Sequence, residues 1–384
     1  MAGIFISCNN QPPEERAAKK LNSLMEESGS VGLAVAVVKD GQIVHSASFG
    51  KKSIENDQPL TNGDLFRIAS ISKSFTTTSL LTLVEQGMLS LDDDVSTLTG
   101  FMVRNPRFPE KPVTVKMLLS HSSSLNDSQG YFSLDVLNPA TNPDYAKCYN
   151  DYEPGTKYEY CNLGFNTIGT ITEKLSGVRF DRYVREKVIL PLGLDASFNV
   201  DDLDSSRFVS LYHPDTTGFA ATGKTGFKLS EGVYASRAAI LDTAYVMGYS
   251  TPLFSPTGGM KISAEDLARY MLMHMYYGVD PVTQTRIISE ETSKLMQTPV
   301  IETGEESHYC LALTKTSSLI SGEVMTGHTG SAYGVYSAMY FEPDKKFGFV
   351  MMTNGTTPAY IEERNGFRPI QREVMNILYK VYVK

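Results

Sequence analysis

The chain has 384 residues, of which 41% are hydrophobic and 20% are charged, values that are ordinary for a globular protein with a large buried core. The formal net charge of −8 and the absence of any basic run or mixed aromatic and basic patch argue against nucleic acid as a partner. No apolar run approaches the roughly 20 residues that a membrane-spanning helix needs.

The amino-terminal segment carries one of four scattered cysteines. Residues 4–10 (Ile-Phe-Ile-Ser-Cys-Asn-Asn) resemble the end of a bacterial lipoprotein signal, although the apolar stretch is short and no basic residue precedes it. The alternatives are a lipidated Cys8 and a chance cysteine, and we predict the first, which implies a lipid-anchored protein of the bacterial periplasm or cell envelope. The cysteines form no metal-like grouping, and buried free thiols are favoured over a disulfide between Cys148 and Cys161.

The first 50 residues predict a helix followed by a β-hairpin. Residues 12–28 have helical apolar spacing, and two prolines stand at their start. Residues 31–38 are almost continuously apolar, and residues 42–49 are strand-like. The Asp40-Gly41 pair between them is typical of a tight hairpin turn.

The middle of the chain predicts short helices separated by loops. The polar stretch that ends at Pro154 predicts a surface loop, and residues 201–257 show no clear periodicity. Ser263, followed by two acidic residues, is a good helix N-cap. The predicted helices cover residues 114–119, 163–175, 180–190 and 264–273.

The last third returns to strands. We expect an α+β fold in which both chain ends form one antiparallel sheet, flanked by helices and interrupted by an inserted helical subdomain. Residues 12–384 should form a single catalytic unit, with an α/β subdomain (12–75 and 300–384), a helical, loop-rich subdomain (76–299) and a signal-like tail (1–11). The predicted late elements are strands at 309–313, 323–328, 336–341 and 347–353 and a helix at 369–379.

A Ser-x-x-Lys pattern, Ser70 and Lys73, stands where a helix is predicted to begin. At this spacing both side chains lie on one face of the first turn, where free N–H groups favour negative charge on a reacting oxygen. A lysine shielded from water can accept the proton of a nucleophilic serine. The spacing alone is weak evidence, because Ser48 and Lys51 share it.

Two later elements contain further candidates. Tyr160 and Asn162 form the single Tyr-x-Asn of the chain, directly before a predicted helix. A phenol near an ammonium group can relay protons, and a carboxamide can both donate to and accept from a substrate amide. The second element, between strand-like segments, has a glycine that permits close approach to a ligand and comprises residues Gly327, His328, Thr329, Gly330 and Ser331.

In order and spacing, these three elements resemble the serine β-lactamase and penicillin-binding-protein family, whose hallmarks are Ser-x-x-Lys, Tyr-x-Asn and a late Lys-Thr-Gly or His-Thr-Gly. Further similarity, from about residue 32 to 355, is to its class C β-lactamase and D-Ala-D-Ala carboxypeptidase branch. The resemblance implies a β-lactamase/transpeptidase-like fold and hydrolysis through an acyl-enzyme, with no cofactor and no metal. The implied substrates are small molecules or peptidoglycan-derived compounds: β-lactams, D-amino-acid peptides or related esters.

The same resemblance implies a role for each candidate. Ser70 is the nucleophile, and Lys73 and Tyr160 exchange its proton. The backbone N–H groups of Ser70 and Ser331 form the oxyanion hole. Asn162 holds the substrate amide, and the motif of His328, Thr329 and Gly330 binds a carboxylate or assists protonation.

Several alternatives remain open at this point. A literal Lys-Thr-Gly begins at Lys224, but it lies in a loop-like stretch too close to Tyr160 for the order of elements, so we prefer His328. Histidine in that motif is seen in carboxypeptidases, esterases and aminopeptidases of the family, so an esterase or D-aminopeptidase is an alternative function. Ser124 replaces a glycine usual for the family. A sensor that is acylated without turnover is a second alternative, whereas an α/β-hydrolase lacks support because no Gly-x-Ser-x-Gly is present.

Overall fold

A nine-stranded antiparallel sheet organises the computed structural model, which describes residues 11–218, 223 and 225–384. The strands are β1 (Gly32–Lys39), β2 (Gln42–Ser53), β3 (Gln58–Pro59), β4 (Phe66–Arg67), β5 (Tyr212–Asp215), β6 (Gly226–Leu229), β7 (Lys261–Ile262), β8 (Ile301–Gly304), β9 (Ser307–Tyr309), β10 (Thr314–Thr316), β11 (Met325–Ala332), β12 (Val335–Glu342) and β13 (Phe347–Thr353). The large sheet has the order β3-β2-β1-β13-β12-β11-β10-β9-β8, while β4 pairs with β7 and β5 with β6.

The sheet joins the two chain ends through β1 and β13, which pair antiparallel with Val35 opposite Met351. The β1–β2 turn has left-handed φ angles of 50° at Asp40 and 83° at Gly41, as its Asp-Gly sequence predicts. The expected fold class, one antiparallel sheet from both ends with helices around it, is confirmed.

Helices cover both faces of this sheet. They are α1 (Pro13–Ser28), α2 (Ser72–Glu85), α3 (Val95–Thr99), α4 (Val115–Leu119), α5 (Asn162–Ser176), α6 (Phe180–Val184), α7 (Ala238–Thr243), α8 (Ala264–Met275), α9 (Glu290–Met296) and α10 (Pro369–Tyr382). Helices α1 and α10 pack together on one face, and α8 packs against β1, β12 and β13 on the other. Alternate residues of β1 therefore enter two different apolar cores, which explains its almost continuous apolar sequence.

Two predicted elements need correction. The strand predicted at 309–313 is instead the end of β9 followed by a tight turn, in which the Cys310 N–H donates to the Leu313 carbonyl at 2.7 Å and Ala312 has a φ of 60°. These apolar residues are buried in the core as a turn, so their hydrophobicity reflects burial and not strand structure. The helix predicted at 180–190 begins as α6 and continues in a wider π-type turn, Arg185–Ile189.

The remaining sequence features are the cysteines, the question of a membrane-spanning helix and the Lys-Thr-Gly sequence at Lys224. Cys148, Cys161 and Cys310 are buried free thiols. Within the described ranges no helix is long and apolar enough to cross a membrane. Cys8 and Lys224 lie outside the described residues.

Candidate active site

Ser70 lies in a short 3-10 turn, Ala69–Ile71, that leads directly into α2. The turn is held in place because the Ser72 hydroxyl donates to the Ala69 carbonyl at 2.6 Å and accepts from the Met260 N–H at 3.0 Å. Ala69 has a φ of 50°, a left-handed conformation that is unfavourable for alanine and is maintained by these contacts. Ser70 is thereby presented at the entrance to the helix, two residues before the first residue of α2.

Lys73 is completely buried and points back to the serine. Its Nζ lies 3.2 Å from Ser70 Oγ, 2.9 Å from Asn162 Oδ1 and 2.9 Å from the Thr257 carbonyl oxygen. Burial lowers the pKa of Lys73 to about 7, although the negative charge of Asp127 acts in the opposite direction. A substantial fraction of Lys73 is therefore neutral near pH 7 and able to take the proton of Ser70.

Tyr160 lies on the other side of the same lysine, whose Nζ is 4.7 Å from the centre of the phenol ring. Burial raises the pKa of Tyr160, and its hydrogen bond to Ser70 only partly offsets that effect. The His121 ring packs 4.2 Å from the Tyr160 ring, and His121 Nδ1 accepts from the Cys161 N–H at 3.0 Å. These electrostatics favour Lys73 as the proton acceptor, with Tyr160 keeping its proton available as a hydrogen-bond donor.

Asn162 opens α5, and its side chain connects the lysine to a residue that sequence analysis missed. Asn162 Nδ2 donates to Asp127 Oδ2 at 2.8 Å, while Asn162 Oδ1 accepts from Lys73. Thr257 Oγ1 also donates to Asn162 Oδ1, at 2.5 Å. One N–H of the amide remains for a substrate, which is compatible with the predicted role of Asn162.

Strand β11 forms the opposite wall and carries the His328-Thr329-Gly330-Ser331 sequence in regular strand structure. A Cβ at Gly330 would lie 2.2 Å from the Ile68 carbonyl oxygen and 2.3 Å from Ser337 Oγ. Only glycine therefore allows this strand to lie so close to the turn that carries Ser70. This approach brings Ser331 to the same cleft as Ser70.

His328 is buried and uses both ring nitrogens within the protein. Its Nδ1 faces the carbonyl oxygen of Thr329, an obligate acceptor, so Nδ1 carries the proton. Its Nε2 therefore accepts from the Tyr309 hydroxyl at 2.9 Å. Burial, and secondarily repulsion by Lys73, lowers the pKa of His328 to about 4, so the ring is neutral at pH 7.

Ser124 occupies the position where the resembling family usually has glycine, and its backbone conformation explains the usual preference for glycine. Its φ is 62°, in the left-handed region that glycine adopts most easily. The Ser124 hydroxyl accepts from Asn105 Nδ2 at 3.0 Å, and Asn105 also donates to the Asn150 carbonyl at 3.0 Å. The serine thus keeps the glycine-like backbone and is held by a hydrogen bond that glycine could not make.

The cleft between these elements has a volume of about 960 Å³. Of the predicted site residues, five line it directly, while Lys73 contacts Ser70 and Asn162 contacts Lys73. Among the described residues, no lysine or arginine lines the cleft, whereas three glutamates do. The lining includes the predicted Ser70, Tyr160, His328, Thr329 and Ser331 and the glutamates Glu305, Glu306 and Glu363.

Comparison with known proteins identifies the family to which this fold and site correspond. The family model described as Beta-lactamase matches residues 17–369. The chain belongs to the Beta-lactamase family. The matched range includes the three sequence elements on which the resemblance was inferred, and that resemblance is confirmed.

The individual proteins that the chain resembles share 30% or less of its sequence over the aligned residues. Penicillin-binding protein 4* of Bacillus subtilis (strain 168) is 30% identical over 193 residues, which are 47% of this chain and 42% of that protein. Penicillin-binding protein 4 of Amycolatopsis lactamdurans is 27% identical over 88% of this chain and 84% of its own length. The structure of D-amino acid amidase from Ochrobactrum anthropi SV3 superimposes with a TM-score of 0.70, covering 96% of this chain and 98% of the amidase, at 20% identity, which shows a common fold.

Proposed function

We propose that this protein is a serine hydrolase that acts through an acyl-enzyme on Ser70. The observation that carries the proposal is the contact between Ser70 Oγ and the buried Nζ of Lys73, at 3.2 Å, combined with a pKa of about 7 for that lysine. Such a lysine is a competent general base near neutral pH. Membership of the Beta-lactamase family supports the same chemistry.

The reaction would proceed in two steps. Ser70 Oγ attacks the substrate carbonyl as its proton passes to Lys73 Nζ, and that proton then passes to the leaving group through the Tyr160 hydroxyl. The N–H groups of Ser70 and Ser331 would stabilise the oxyanion, and losing one such donor typically costs on the order of 10²-fold in rate. Water then attacks the ester on Ser70 and loses a proton to the lysine and phenol pair, which returns that proton to Ser70 Oγ as the acyl–Oγ bond breaks and the carboxylic acid leaves.

We further propose that the preferred substrates are amides or esters of D-amino acids with a free amino group. A cation makes the strongest hydrogen bonds to a substrate carboxylate, but His328 is neutral at pH 7 and the described lining contains no lysine or arginine. Glu305, Glu306 and Glu363 instead favour a positively charged amine. One protein of the same fold is named D-amino acid amidase, and its structure was determined in complex with D-phenylalanine.

A β-lactamase or carboxypeptidase activity is the second candidate. It is favoured by Thr329 and Ser331, which line the cleft and carry hydroxyls that can hydrogen-bond a carboxylate without a cation, and by the two penicillin-binding relatives. In this second candidate, the substrate carboxylate would be bound by neutral hydrogen-bond donors only.

The experiment compares three substrates on one enzyme preparation, with Ser70→Ala as the control. D-phenylalanine p-nitroanilide should be hydrolysed, its N-acetyl derivative at least tenfold more slowly, and a fluorescent penicillin should label Ser70 slowly or not at all. Rapid labelling followed by rapid loss of label would favour a β-lactamase, and stable labelling a sensor. Activity that survives in Ser70→Ala would refute the proposed mechanism.

We also propose that Cys8 anchors the protein to the bacterial cell envelope, on the outer side of the cytoplasmic membrane. The support is the lipoprotein-like sequence of residues 4–10. Mass spectrometry of the native protein should show acylation of Cys8, and an unacylated Cys8 in membrane-free extracts would refute the proposal.

A further inference from the structure

Asp127 lies in the polar loop before α5, and its carboxylate receives four donors from the start of that helix. Oδ2 accepts from the Asn162 N–H at 2.9 Å and from Asn162 Nδ2 at 2.8 Å. Oδ1 accepts from the Leu163 N–H at 2.9 Å and from Cys161 Sγ at 3.3 Å. The carboxylate therefore caps α5 and holds the first side chain of the helix at the same time.

These contacts determine which way the Asn162 amide points. An ionised carboxylate can only accept, so the NH₂ end of the amide must face Asp127. The carbonyl end then faces Lys73 Nζ, 2.9 Å away. A flipped amide would direct an NH₂ group at the lysine and a carbonyl oxygen at a carboxylate, and both contacts would be repulsive.

We propose that Asp127 is a positioning residue for acyl transfer, which fixes the Asn162 amide so that its oxygen holds Lys73 against Ser70. The inference rests on the proposed function, because it assigns Asp127 a part in the same reaction. Asp127 itself need not touch the substrate, because it acts on Ser70 through the side-chain amide of Asn162 and the amine of Lys73.

Asp127 also supplies the negative charge that Lys73 experiences. The titratable groups around the lysine are Tyr160, Cys161, His121 and His328, in addition to Asp127. Burial raises the pKa of the phenol and the thiol and lowers the pKa of both imidazoles, so these four are neutral near pH 7. Of this set only Asp127 is charged, and its removal should lower the pKa of Lys73 further.

The test uses Asp127→Asn, Asp127→Glu and Asn162→Ala, with Asp135→Asn as a matched control. Asp135 lies in the 3-10 helix Leu134–Leu137, and its carboxylate accepts from the Ser133 hydroxyl at 2.8 Å and from the Tyr249 hydroxyl. It is not among the charges that act on Lys73. Asp127→Asn should reduce kcat/KM by about 10- to 100-fold, because Lys73 is no longer held in position to accept the proton of Ser70. Asp127→Glu keeps the charge without the geometry, so kcat/KM should fall while Lys73 titrates near its wild-type pH.

A second readout does not depend on any substrate. In protein labelled with ¹³C-lysine, the Cε signal of Lys73, assigned by its loss in Lys73→Met, should titrate at a lower pH in Asp127→Asn than in wild type or Asp135→Asn. If no substrate is hydrolysed by the wild type, the proposed function fails, yet this titration still tests the effect of Asp127. An unchanged Lys73 titration together with wild-type kcat/KM in Asp127→Asn would overturn the inference.

Helix capping and positioning can be separated by a double-mutant cycle. Asn162→Ala keeps the backbone N–H groups that Asp127 caps but removes the amide, so it tests the connection to Lys73 even if Asp127→Asn fails to fold. If Asp127 acts through the amide, Asp127→Asn with Asn162→Ala should lose little more activity than either single variant. Fully multiplicative losses would contradict the proposed connection.

Discussion

The burial of Lys73 should make the protein less stable near neutral pH than a variant in which this lysine is apolar, and this difference should depend on pH. Lys73 has a pKa of about 7 in the folded protein against 10.5 for an ordinary lysine. Between these values the unfolded chain binds a proton that the folded chain does not, so stability rises with pH. In Lys73→Met this contribution is absent.

The magnitude follows from the size of the shift. One pKa unit corresponds to about 1.36 kcal/mol, so between pH 7 and pH 9 the wild type should gain about 2 kcal/mol in free energy of unfolding relative to Lys73→Met. The hydrogen bonds that Nζ gives to Asn162 and Thr257 are lost in the variant, at roughly 1 kcal/mol each. That loss does not vary with pH, because neither acceptor titrates. The pH dependence of the stability difference therefore reports the protonation of Lys73 alone.

Urea denaturation of both proteins at pH 7, 8 and 9 measures this effect. His121 and His328 do not interfere, since their pKa values are lowered and both rings stay neutral in this range. We expect the stability of wild type minus that of Lys73→Met to increase steadily with pH. Parallel curves would mean that the folded lysine titrates like an unfolded one, which would refute its role as a general base near pH 7.

Three further predictions concern catalysis. Because Lys73 must be neutral, kcat/KM should fall about tenfold per pH unit below its pKa of about 7; a flat profile from pH 5 to 8 would contradict this. Gly330→Ala places a methyl group 2.2 Å from the Ile68 carbonyl oxygen and should lower kcat/KM on the order of 10²-fold with unchanged circular dichroism. Glu363→Gln should raise KM several-fold for a free-amine substrate but leave the N-acetyl substrate unaffected, as steady-state kinetics will show.

The sequence was sufficient to predict turns and helix caps, because their conformation depends mainly on the residues within them. The Asp40-Gly41 pair defines its turn because these residues accept left-handed backbone angles, and the structure has that turn. The Ser263 cap likewise forms as predicted, with its hydroxyl accepting from the Asp266 N–H at 3.1 Å. The turn at 310–313 was missed because an apolar run in the core looks the same whether it is a strand or a buried turn.

The sequence by itself determined the family and the sheet built from both chain ends, and it predicted Ser70 as the nucleophile with Lys73 beside it, because short-range spacing and motif order encode these features. Only the tertiary structure decided the charge states: burial makes Lys73 titrate near neutrality, and burial, with repulsion by Lys73 as the second cause, keeps His328 neutral. Asp127 carried no signal in the sequence, since an aspartate in a polar loop is ordinary. Its importance arises because folding brings it to Asn162, 35 residues away, beside the buried lysine.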